Sequence, residues 1–459
     1  MYKKIDSNII ERIKKIVGYK NVITNKEKME DYTHDEYSLY LIKNYPEVVI
    51  KPRNSKEISE ILKLANLENF PVTPRGGGTG LCGGCVPIKG GVVLSLENMN
   101  KILEIDKDNL VIVLEPGVRL MDLYEKVEES DLFFPLHPGD ESANVGGIIA
   151  TNAGGARAVK YGVTRNFVRG LEVVLPDGDI INVGGKVMKD CTGYNLMNLF
   201  IGSEGTLGII TKAIIRLLPK LKMITTLVIP YDNLYDAIKT VPEIIRNLII
   251  PLGIEFIEKE VIPPTESYLG KKWPTKLGNA YLMIIIDSST EEELDSLCEK
   301  VADICTSNKA IDVLIADSKE RQKDILDIRS NIYEALKNET IEILDITVPP
   351  SKIADYVKEV HKVSKKYNIW LPCYGHAGDG NVHTNIMKSY KWEEKYPIIR
   401  ERLHKIGIEL GGVISGEHGI GFVKKEYLSM IGEKKIELFR RIKRAFDPNN
   451  ILNPGKIID

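Results

Sequence analysis

The chain has 459 residues, with 62 basic and 64 acidic side chains, a formal net charge of −2 at pH 7, and 43% hydrophobic residues. This balanced charge argues against a nucleic-acid partner or an acidic-lipid surface, and no apolar run is long enough to cross a bilayer. The length allows two or three domains, and six scattered cysteines suit a reducing cytoplasm. The composition therefore indicates a multidomain cytoplasmic enzyme.

The first predicted element is an amphipathic helix at the N-terminus, with Ser7 as N-cap, apolar residues on one face and Gly18 as the stop signal. This segment lacks the apolar core and cleavage site of a signal peptide. Residues 44–219 then alternate short apolar runs with glycine-rich turns, which predicts many strands. Within them, GLEVVLPDGDIINVG places a Pro-Asp-Gly turn between two apolar runs and predicts a β-hairpin. The regular strand–helix alternation of a dinucleotide-binding Rossmann fold does not occur.

Glycines become fewer and helices longer after about Lys222. The apolar runs that follow predict the order β-α-β-β-α-β, which is that of a split ferredoxin-like unit. Further along, CYGHAGDGNVHTN predicts a second hairpin, and KKEYLSMIGEKKIELFRRIKRAFD predicts one long amphipathic helix or two shorter ones. The predicted fold class is therefore α+β.

Three glycine-rich stretches lie among the strands of the first half: PRGGGTGLCGG (74–84), ANVGGIIATNAGGARAVKYG (143–162) and IGSEGTLGIIT (201–211). Consecutive glycines let successive main-chain N–H groups point the same way and hold phosphate oxygens, and Arg75 and Thr79 add a cation and a hydroxyl. One such loop alone would indicate only a turn, but three of them favour a large, extended ligand. Neither a P-loop lysine pattern nor a Rossmann fingerprint is present in the sequence.

Two of the cysteines form a Cys82-Gly-Gly-Cys85 pair, which can be a redox pair or half of a zinc site. No second such pair exists in the sequence, and both residues lie inside a glycine-rich loop, so two small residues in a tight loop are the favoured interpretation. No cysteine run indicates an iron–sulfur cluster. Electrons that leave this protein are therefore expected to pass to another subunit.

Two of the seven histidines, His376 and His383, flank the Gly-Asp-Gly turn of the second predicted hairpin. Residues two apart on a strand face the same side, so His383 and Asn385 share a face. Two imidazoles and a carboxylate are a usual divalent-metal set, and Glu417, between glycines in SGEHGIG, is the candidate third ligand. The alternative is that both histidines bond to the backbone of the hairpin. His418, with a reference pKa of about 6.5, is a candidate general base.

Together, PRGGGTGLCGG, GGIIATNAGG, IGSEGTLGIIT and the terminal FDPNNILNPGK resemble the flavin-binding signatures of the vanillyl-alcohol-oxidase-type FAD superfamily. The further motifs GHAGDGNVH and SGEHGIG resemble those of one branch of this superfamily, the FAD-linked D-2-hydroxy acid dehydrogenases. That branch contains glycolate oxidase catalytic subunits and the D-lactate and D-2-hydroxyglutarate dehydrogenases. The resemblance runs from about residue 40 to the end. It implies an FAD-binding domain with the N-terminal helix over 1–219, a ferredoxin-like cap or substrate domain over 220–412, and a C-terminal segment, 413–459, that returns to the FAD domain.

In this family FAD lies along the glycine-rich loops. Some superfamily members bind FAD covalently through a histidine in the first loop; glycines stand there in this chain, so non-covalent FAD is implied. The pyrophosphate lies on the first loop, the isoalloxazine and ribityl chain on the second cluster, and the adenosine half beside the third, while the closing motif reaches the flavin. The residues implied are Arg75, Gly76, Gly77, Gly78, Thr79, Gly80, Leu81 and Gly83; Pro138, Gly139, Ser142, Gly146, Gly147, Thr151 and Gly154; Glu204, Gly208 and Ile210; and Asn453.

The family also implies residues that bind the substrate. Arg329, on the predicted helix DILDIRSNIYEALKN, lies in the segment that carries the carboxylate-binding arginine, although a helix arginine is otherwise more often a solvated surface residue. Tyr333, one turn later, would face the same way, and Asn385, on the side of His383, is a further candidate substrate residue. Relatives that take a second carboxylate carry a lysine ahead of the segment that matches LDITVPP. Ile343 precedes it here, which favours a small apolar side chain on the substrate, as in D-lactate or glycolate.

The resulting hypothesis is FAD-dependent oxidation of a small D-2-hydroxy acid, with D-lactate favoured, to the 2-keto acid by hydride transfer to flavin N5. A divalent ion (Zn, Fe or Mn) held by His376, His383 and Glu417 would orient the substrate, and His418 would take the hydroxyl proton. The alternatives are a glycolate oxidase subunit, an oxidase that uses O₂, the catalytic subunit of an electron-transfer-flavoprotein-linked or bifurcating complex, and a flavin-binding module without chemistry. The expected partner is an electron-transfer flavoprotein or an iron–sulfur subunit. The oligomeric state stays open, with a homodimer as one alternative.

Overall fold

The computed structural model describes residues 2–36, 42–316 and 318–458, which form two compact units. The first unit consists of Met1–Ala153, Val163–Lys220 and Glu417–Asp459, and the second of Gly154–Gly162 and Leu221–Gly416. The expected domain boundaries lay at 219/220 and 412/413. The chain passes between the units at 153/154, 162/163, 220/221 and 416/417, so the Glu-His pair of SGEHGIG begins the last segment of the first unit.

Strands and helices are short through the first half of the described chain and lengthen in the second half. In chain order the strands are β1 (Val22–Ile23), β2 (Val48–Ile50), β3 (Val72–Arg75), β4 (Val92–Ser95), β5 (Ile102–Asp106), β6 (Val111–Leu114), β7 (Leu132–Phe133), β8 (Val168–Val174), β9 (Ile180–Gly184), β10 (Ile209–Arg216), β11 (Leu218–Pro219), β12 (Met223–Tyr231), β13 (Gly253–Glu258), β14 (Ala280–Ser288), β15 (Leu314–Ile315), β16 (Thr340–Thr347), β17 (Cys373–His376) and β18 (Asn381–Met387). The α-helices are α1 (Ser7–Val17), α2 (Ser55–Glu68), α3 (Leu120–Glu128), α4 (Val145–Thr151), α5 (Ala158–Tyr161), α6 (Met197–Phe200), α7 (Leu234–Arg246), α8 (Ile262–Leu269), α9 (Glu291–Ser307), α10 (Lys319–Ser330), α11 (Ile332–Leu336), α12 (Ile353–Tyr367), α13 (Trp392–Glu409) and α14 (Glu433–Phe446).

The first unit contains a four-stranded sheet in the order β1-β2-β4-β3 and a five-stranded antiparallel sheet in the order β5-β6-β10-β8-β9. Strands β2 and β3 both pair parallel with β4, and α2 connects them and buries its apolar face in the same core as α1. The hairpin predicted around the Pro-Asp-Gly turn is confirmed as β8 and β9.

The second unit is built on one antiparallel sheet in the order β15-β12-β14-β13-β17-β18-β16. Its first four strands are the fourth, first, third and second of the β-α-β-β-α-β segment, which confirms the predicted ferredoxin-like unit. The hairpin predicted in CYGHAGDGNVHTN is β17 and β18, and it extends that sheet. Helices α7, α9, α12 and α13 contribute the apolar side chains that fill the core with one face of the sheet.

The ends of the terminal helices differ in detail from the expectation. Helix α1 is capped by Asp6, whose side chain accepts a hydrogen bond from Ile9 N at 2.9 Å, and not by Ser7. Adjacent Asp and Ser are both good caps, so local preference could not separate them. The C-terminal stretch forms two elements, a 3-10 helix at Lys425–Ile431 and then α14, separated at Gly432. No helix among the described residues has the length and hydrophobicity of a membrane span.

Candidate functional site

The register of β13, β17, β18 and β16 places polar residues in rows on one face of the second unit's sheet, here called the polar face. Residues directly opposite each other in an antiparallel ladder point to the same side. The opposite face carries Phe256, Val382 and Ile346, which pack into the helical core. The first row of the polar face is Glu255, His376, Asn381 and Thr347, the second is Ile257, Tyr374, His383 and Asp345, and the next pair is Asn385 and Ile343.

The two histidines of the hairpin lie on this face, one row apart. Their ring centroids are 5.3 Å from each other with the planes nearly perpendicular, and both residues are buried. His376 ends β17 and His383 lies within β18, so the sheet brings together two imidazoles that are seven positions apart in sequence. Asn385 shares the side of His383, as the two-residue spacing predicted.

A buried ion pair orients His376. The Nδ1 atom of His376 shares a hydrogen bond with Glu255 Oε1 at 2.7 Å, and the other oxygen of Glu255 forms an ion pair with Arg329. Burial would by itself raise the pKa of Glu255, but the charges of Arg329 and His376 outweigh it and hold that pKa below its ordinary value. In a neutral imidazole, an ionised Glu255 favours the proton on Nδ1 and the lone pair on Nε2.

Arg329 lies on α10 and is largely buried, with its guanidinium 5.3 Å from the centroid of the Tyr374 ring. Its Nε atom is buried and has no hydrogen-bond partner among the described residues. The single helix predicted for this segment is divided, because α10 ends at Ser330 and Tyr333 belongs to the separate helix α11. Asn331 lies between the two helices, and the expected role of Tyr333 at the substrate stays a prediction.

Asp345 holds the chain that leads to the Glu-His pair. Its Oδ1 atom accepts a hydrogen bond from Asn381 Nδ2 at 2.7 Å, and its Oδ2 atom accepts from Ser415 Oγ at 2.9 Å and from Gly416 N at 3.1 Å. A Cβ atom at Gly416 would come within 2.2 Å of Thr347 Oγ1, so this approach requires glycine. Asp345 is fully buried and lies directly across from His383.

Glu255 and Asp345 were not predicted from the sequence, although a signal was present. Each is an acidic residue with large apolar neighbours in a strand: isoleucine and phenylalanine beside Glu255 in GIEFIE, and leucine and isoleucine beside Asp345 in EILDIT. A charged residue in such a run is buried only when it is paired or hydrogen-bonded. The partners of these two carboxylates come from other elements, so the run alone could not identify them.

The first unit contains a cavity of about 580 Å³ beside the first glycine-rich loop. Four predicted cofactor residues line it: Arg75, Gly76, Gly77 and Ser142. Cβ atoms at Gly76 and Gly77 would lie 3.4 Å from Asn144 Oδ1, so larger residues would narrow the cavity at this point. The lining also contains the carboxylates of Asp31, Glu97 and Asp122, and binding of the cofactor's phosphates in this cavity stays a prediction.

The guanidinium of Arg75 is bound largely by the protein itself. It donates to the main-chain oxygens of His34 and Asp31, both at 2.6 Å. A Cβ atom at Gly78, where φ is +80°, would come 2.1 Å from Arg75 Nη2. Arg75 therefore shapes the loop around its own side chain, and a direct contact with phosphate stays a prediction.

Glu204 and Asn453 connect the glycine-rich motifs of the first unit. The carboxylate of Glu204 accepts hydrogen bonds from Ile420 N and Gly421 N, both at 2.7 Å. Asn453 Nδ2 donates to the main-chain oxygens of Gly84 and Glu204 at 3.0 and 2.8 Å. Burial raises the pKa of the Glu204 carboxyl more than these N–H donors lower it. Glu204, expected beside adenosine, thus contacts the loop that follows the Glu-His pair.

Several other predicted cofactor residues have packing roles in the structure. A Cβ atom at Gly146 would lie 2.6 Å from Pro116, and one at Gly208 would lie 2.5 Å from Val173. Gly154 belongs to the second unit, apart from the rest of its cluster. Thr79, Gly80, Leu81 and Gly83 lie in the loop after β3, Pro138 and Gly139 in the loop after β7, Gly147 and Thr151 in α4, and Ile210 in β10.

Glu417 and His418 are half-buried in the first unit. Glu417 Oε1 lies 3.8 Å from His418 Nε2, which is within the range of an ion pair when the histidine is protonated. Gly419, with φ of +85°, follows directly, and a Cβ atom there would come 2.9 Å from Glu204 Oε1. The glycines on either side of the Glu-His pair are thus required by close contacts and not only by turn geometry.

Comparisons with known proteins give two family matches along this chain. Residues 220–457 match the family described as FAD linked oxidases, C-terminal domain, and residues 46–184 match the family described as FAD binding domain. The first match covers more than half of the chain. It includes both the polar face and the Glu-His pair.

Curated relatives align along nearly the whole chain. The D-lactate dehydrogenase of Archaeoglobus fulgidus is 48% identical over 411 residues, which cover 90% of this chain and 91% of the relative. The glycolate oxidase subunit GlcD of Bacillus subtilis is 40% identical over 460 residues, which cover 99% of this chain and 97% of the relative.

A solved structure of p-cresol methylhydroxylase with substrate bound superposes with a TM-score of 0.80 at 19% identity, covering 100% of this chain and 99% of that one. At this identity the likeness establishes the fold alone, which is the vanillyl-alcohol-oxidase type expected from the sequence. The family matches and the full-length relatives go further. The chain belongs to the FAD-linked oxidase family and is an FAD-linked oxidoreductase.

Proposed function

We propose that this protein oxidises a small D-2-hydroxy acid, with D-lactate favoured, to the corresponding 2-keto acid, and that a partner protein receives the electrons. The observation that carries the proposal is the polar face, where the sheet register sets His376 and His383 side by side and Glu255 bonds to Nδ1 of His376. A carboxylate on the second nitrogen of an imidazole is the usual arrangement around a metal-binding histidine. The relatives named D-lactate dehydrogenase and glycolate oxidase subunit support the substrate class.

His376, His383 and Glu417 are the proposed ligands of a divalent ion. The alternative that both histidines only bond to the hairpin backbone accounts less well for His376, whose Nδ1 atom bonds to a side chain. Glu417 directly follows Gly416, whose N–H is held by Asp345, and Asp345 lies across from His383. Because consecutive Cα atoms are about 3.8 Å apart, this link supports Glu417 as the third ligand. Zinc, iron and manganese all accept two imidazoles and a carboxylate.

When bound, FAD supplies the two-electron oxidant and the divalent ion a Lewis acid that lowers the pKa of an α-hydroxyl. His418 would accept the hydroxyl proton at its imidazole. Arg329, with a buried Nε that has no hydrogen-bond partner among the described residues, would donate to the substrate carboxylate. Asn385 is fully buried, and its Oδ1 likewise has no partner in the described part of the chain, so it can accept from the substrate.

Ile343 supports a short apolar substrate. It lies directly across from Asn385 on the polar face and two residues from Asp345, and it is buried. An apolar side chain at this position offers no partner for a second carboxylate, and burying an unpaired charge beside it would be costly. D-lactate and glycolate fit this environment better than 2-hydroxyglutarate.

The test is an anaerobic spectrum of the purified holoprotein mixed in turn with D-lactate, L-lactate, glycolate and D-2-hydroxyglutarate. D-lactate is expected to bleach the flavin fastest. A preparation that binds no FAD after reconstitution, or a flavin that none of the four acids bleaches, would refute the proposal.

A second candidate is the catalytic subunit of a glycolate-oxidising or electron-transfer-flavoprotein-linked complex. It is favoured by the relative named a subunit of glycolate oxidase and by the absence of an iron–sulfur motif from the sequence. Measuring peroxide against the reduction of an added electron-transfer flavoprotein would separate an oxidase from a dehydrogenase that needs a partner. We place the reaction in the cytoplasm as part of the same proposal.

A further inference from the structure

The Glu417–His418 pair lies between two segments that are each bonded to a buried carboxylate. On the N-terminal side, Asp345 accepts hydrogen bonds from Ser415 Oγ and Gly416 N at 2.9 and 3.1 Å. On the C-terminal side, Glu204 accepts from the main-chain N–H groups of Ile420 and Gly421 at 2.7 Å. The first contact lies wholly in the second unit, and the other lies wholly in the first unit.

Glu204 has a backbone conformation that is uncommon for a glutamate. Its φ of +51° lies in the left-handed region, where glycine and asparagine are the usual residues. Gly205 follows with φ of +68°, and Asn453 Nδ2 donates to the main-chain oxygen of Glu204. A glutamate held in this conformation, with its carboxylate on two main-chain N–H groups, is an observed strain that points to a role.

The loop after the pair is held closely on its other side as well. Phe422 N and Val423 N both donate to Cys82 O, at 2.9 and 3.1 Å, and a Cβ atom at Gly421 would come 2.0 Å from that oxygen. Cys82 Sγ in turn donates to Gly419 O at 3.2 Å. The Cys82-Gly-Gly-Cys85 stretch, which the proposed reaction leaves without a role, therefore fixes this loop.

We propose that Glu204 and Asp345 are positioning residues for the FAD-linked oxidation: they fix the main chain on both sides of Glu417 and His418 and so set the direction of those two side chains. This inference rests on the proposed function, because it assigns the ligand and the base to 417 and 418. Neither carboxylate contacts substrate in this role. Asp345 acts through the hydroxyl of Ser415 and the peptide N–H of Gly416, and Glu204 acts through the peptide N–H groups of Ile420 and Gly421.

The first test is Glu204→Gln, measured as holoenzyme. The amide can still accept one N–H but presents an NH₂ group to the other, so one anchor is lost with little change of shape. Flavin reduction by D-lactate is expected to slow by about 10- to 100-fold, the range seen when an orienting partner is removed, with the substrate concentration for half-maximal rate and the FAD content unchanged. Amide hydrogen exchange at 420 and 421 should rise.

The matched control is Glu57→Gln, which also removes a buried carboxylate that accepts a main-chain N–H, that of Arg53 at 2.8 Å, but does so at the start of α2. Its reduction rate should stay at the wild-type value. If Glu204→Gln does not bind FAD, Asp345→Asn is the alternative variant. It should reduce its flavin more slowly than the wild type. Amide hydrogen exchange should become faster at residue 416 and stay slow at residues 420 and 421.

Two results would overturn the positioning role. One is a wild-type reduction rate in Glu204→Gln and Asp345→Asn although the amides of residues 416, 420 and 421 exchange faster. The other is that these amides already exchange freely in the wild-type protein. A wild-type flavin that no 2-hydroxy acid reduces would refute the proposed function instead. In that case the positioning role is tested without substrate, by comparing the Mn²⁺ affinity of Glu204→Gln with that of the wild-type protein. The affinity of the variant should be about tenfold lower. An unchanged Mn²⁺ affinity would overturn it.

Discussion

The polar face of the second unit and the glycine-rich loops of the first unit hold the side chains of the proposed site by different means. On the polar face, His376, His383 and Asn385 stand on regular strands, and their directions follow from the pleat and the register. In the loops, Glu417 and His418 have no strand or helix around them, and buried carboxylates bonded to neighbouring peptide groups define the chain path. In a strand, the alternation of the backbone sets the direction of every side chain. In a loop, the direction of each side chain depends on separate contacts that fix the backbone near it.

This difference predicts where substitutions act. A change on the polar face should alter ligand chemistry and leave the backbone in place, because the opposite face of the same strands packs the core. A change in the anchors of the loop should alter geometry while the ligands themselves remain. The substitutions below separate these two cases, beginning with the largest expected effect.

His383→Ala should have the largest effect, because it removes a proposed ligand from the regular region. Loss of the ion removes several kcal/mol of transition-state stabilisation, so flavin reduction should fall by about ten-thousandfold while FAD stays bound. Metal content and the anaerobic reduction rate are the measurements. Wild-type activity in this variant and after chelation would mean that an ion is structural or absent.

His418→Gln tests the loop region. Removal of a general base costs about 10²–10⁴ in rate, and here the metal content and FAD content should stay at the wild-type level. The dependence of the reduction rate on pH should also lose its acidic limb. A variant that retained that limb and the wild-type rate would exclude His418 as the base.

Glu255→Gln returns to the polar face and removes the negative charge between His376 and Arg329. Metal affinity should fall by about 10- to 100-fold, because a charged acceptor on Nδ1 makes the imidazole a stronger ligand. The measurement is competitive titration with a chelator of known affinity. An equal loss of affinity in Glu57→Gln would show that the effect is not specific to this pair.

His361→Gln should have the smallest effect, because His361 lies outside both regions. Its Nε2 atom is 3.1 Å from Glu258 Oε1 and its side chain is 45% exposed. The hydrogen bond with Glu258 raises the pKa of His361 above its ordinary value, so the pair stabilises the fold below the unfolded pKa and loses this contribution as pH rises through the folded pKa. After solvent screening, the variant should lower the free energy of unfolding by about 0.5 kcal/mol near pH 6 and not near pH 9. Denaturant unfolding at the two pH values measures it, and equal losses at both would contradict the assignment.

The contrast between regular strands and anchored loops also explains which features could be predicted from the sequence. The CYGHAGDGNVHTN hairpin, the shared side of His383 and Asn385, and the ferredoxin-like unit follow from local alternation and turn residues, and all are present. Turn and strand signals act over a few residues, so one sequence carries them.

What the sequence did not predict depends on contacts between distant segments. Glu255 reaches His376 across 121 positions, and Glu204 reaches Gly421 across 217. The glycines of IGSEGTLGIIT and SGEHGIG indicated that another part of the protein comes close to these loops. They did not indicate which atoms come close, because those atoms, such as Glu204 Oε1 beside Gly419, belong to distant segments of the chain. The break at Asn331 that separates Arg329 from Tyr333 was missed for another reason, since asparagine is tolerated in helix interiors and marks an end only when the tertiary structure uses it.

The alternation along β16 has a consequence for how such a protein can diversify. Ile343, Asp345 and Thr347 lie on the polar face, where we propose that the substrate binds, while Leu344 and Ile346 belong to the apolar core. Under the proposed function, substitution of Ile343 can therefore change which molecule is accepted without loosening the core, whereas Asp345 must be kept to anchor Ser415 and Gly416. Substitution of Leu344 or Ile346 acts on the stability of the core instead. Within this one strand of eight residues, substrate selectivity and fold stability can thus evolve largely independently.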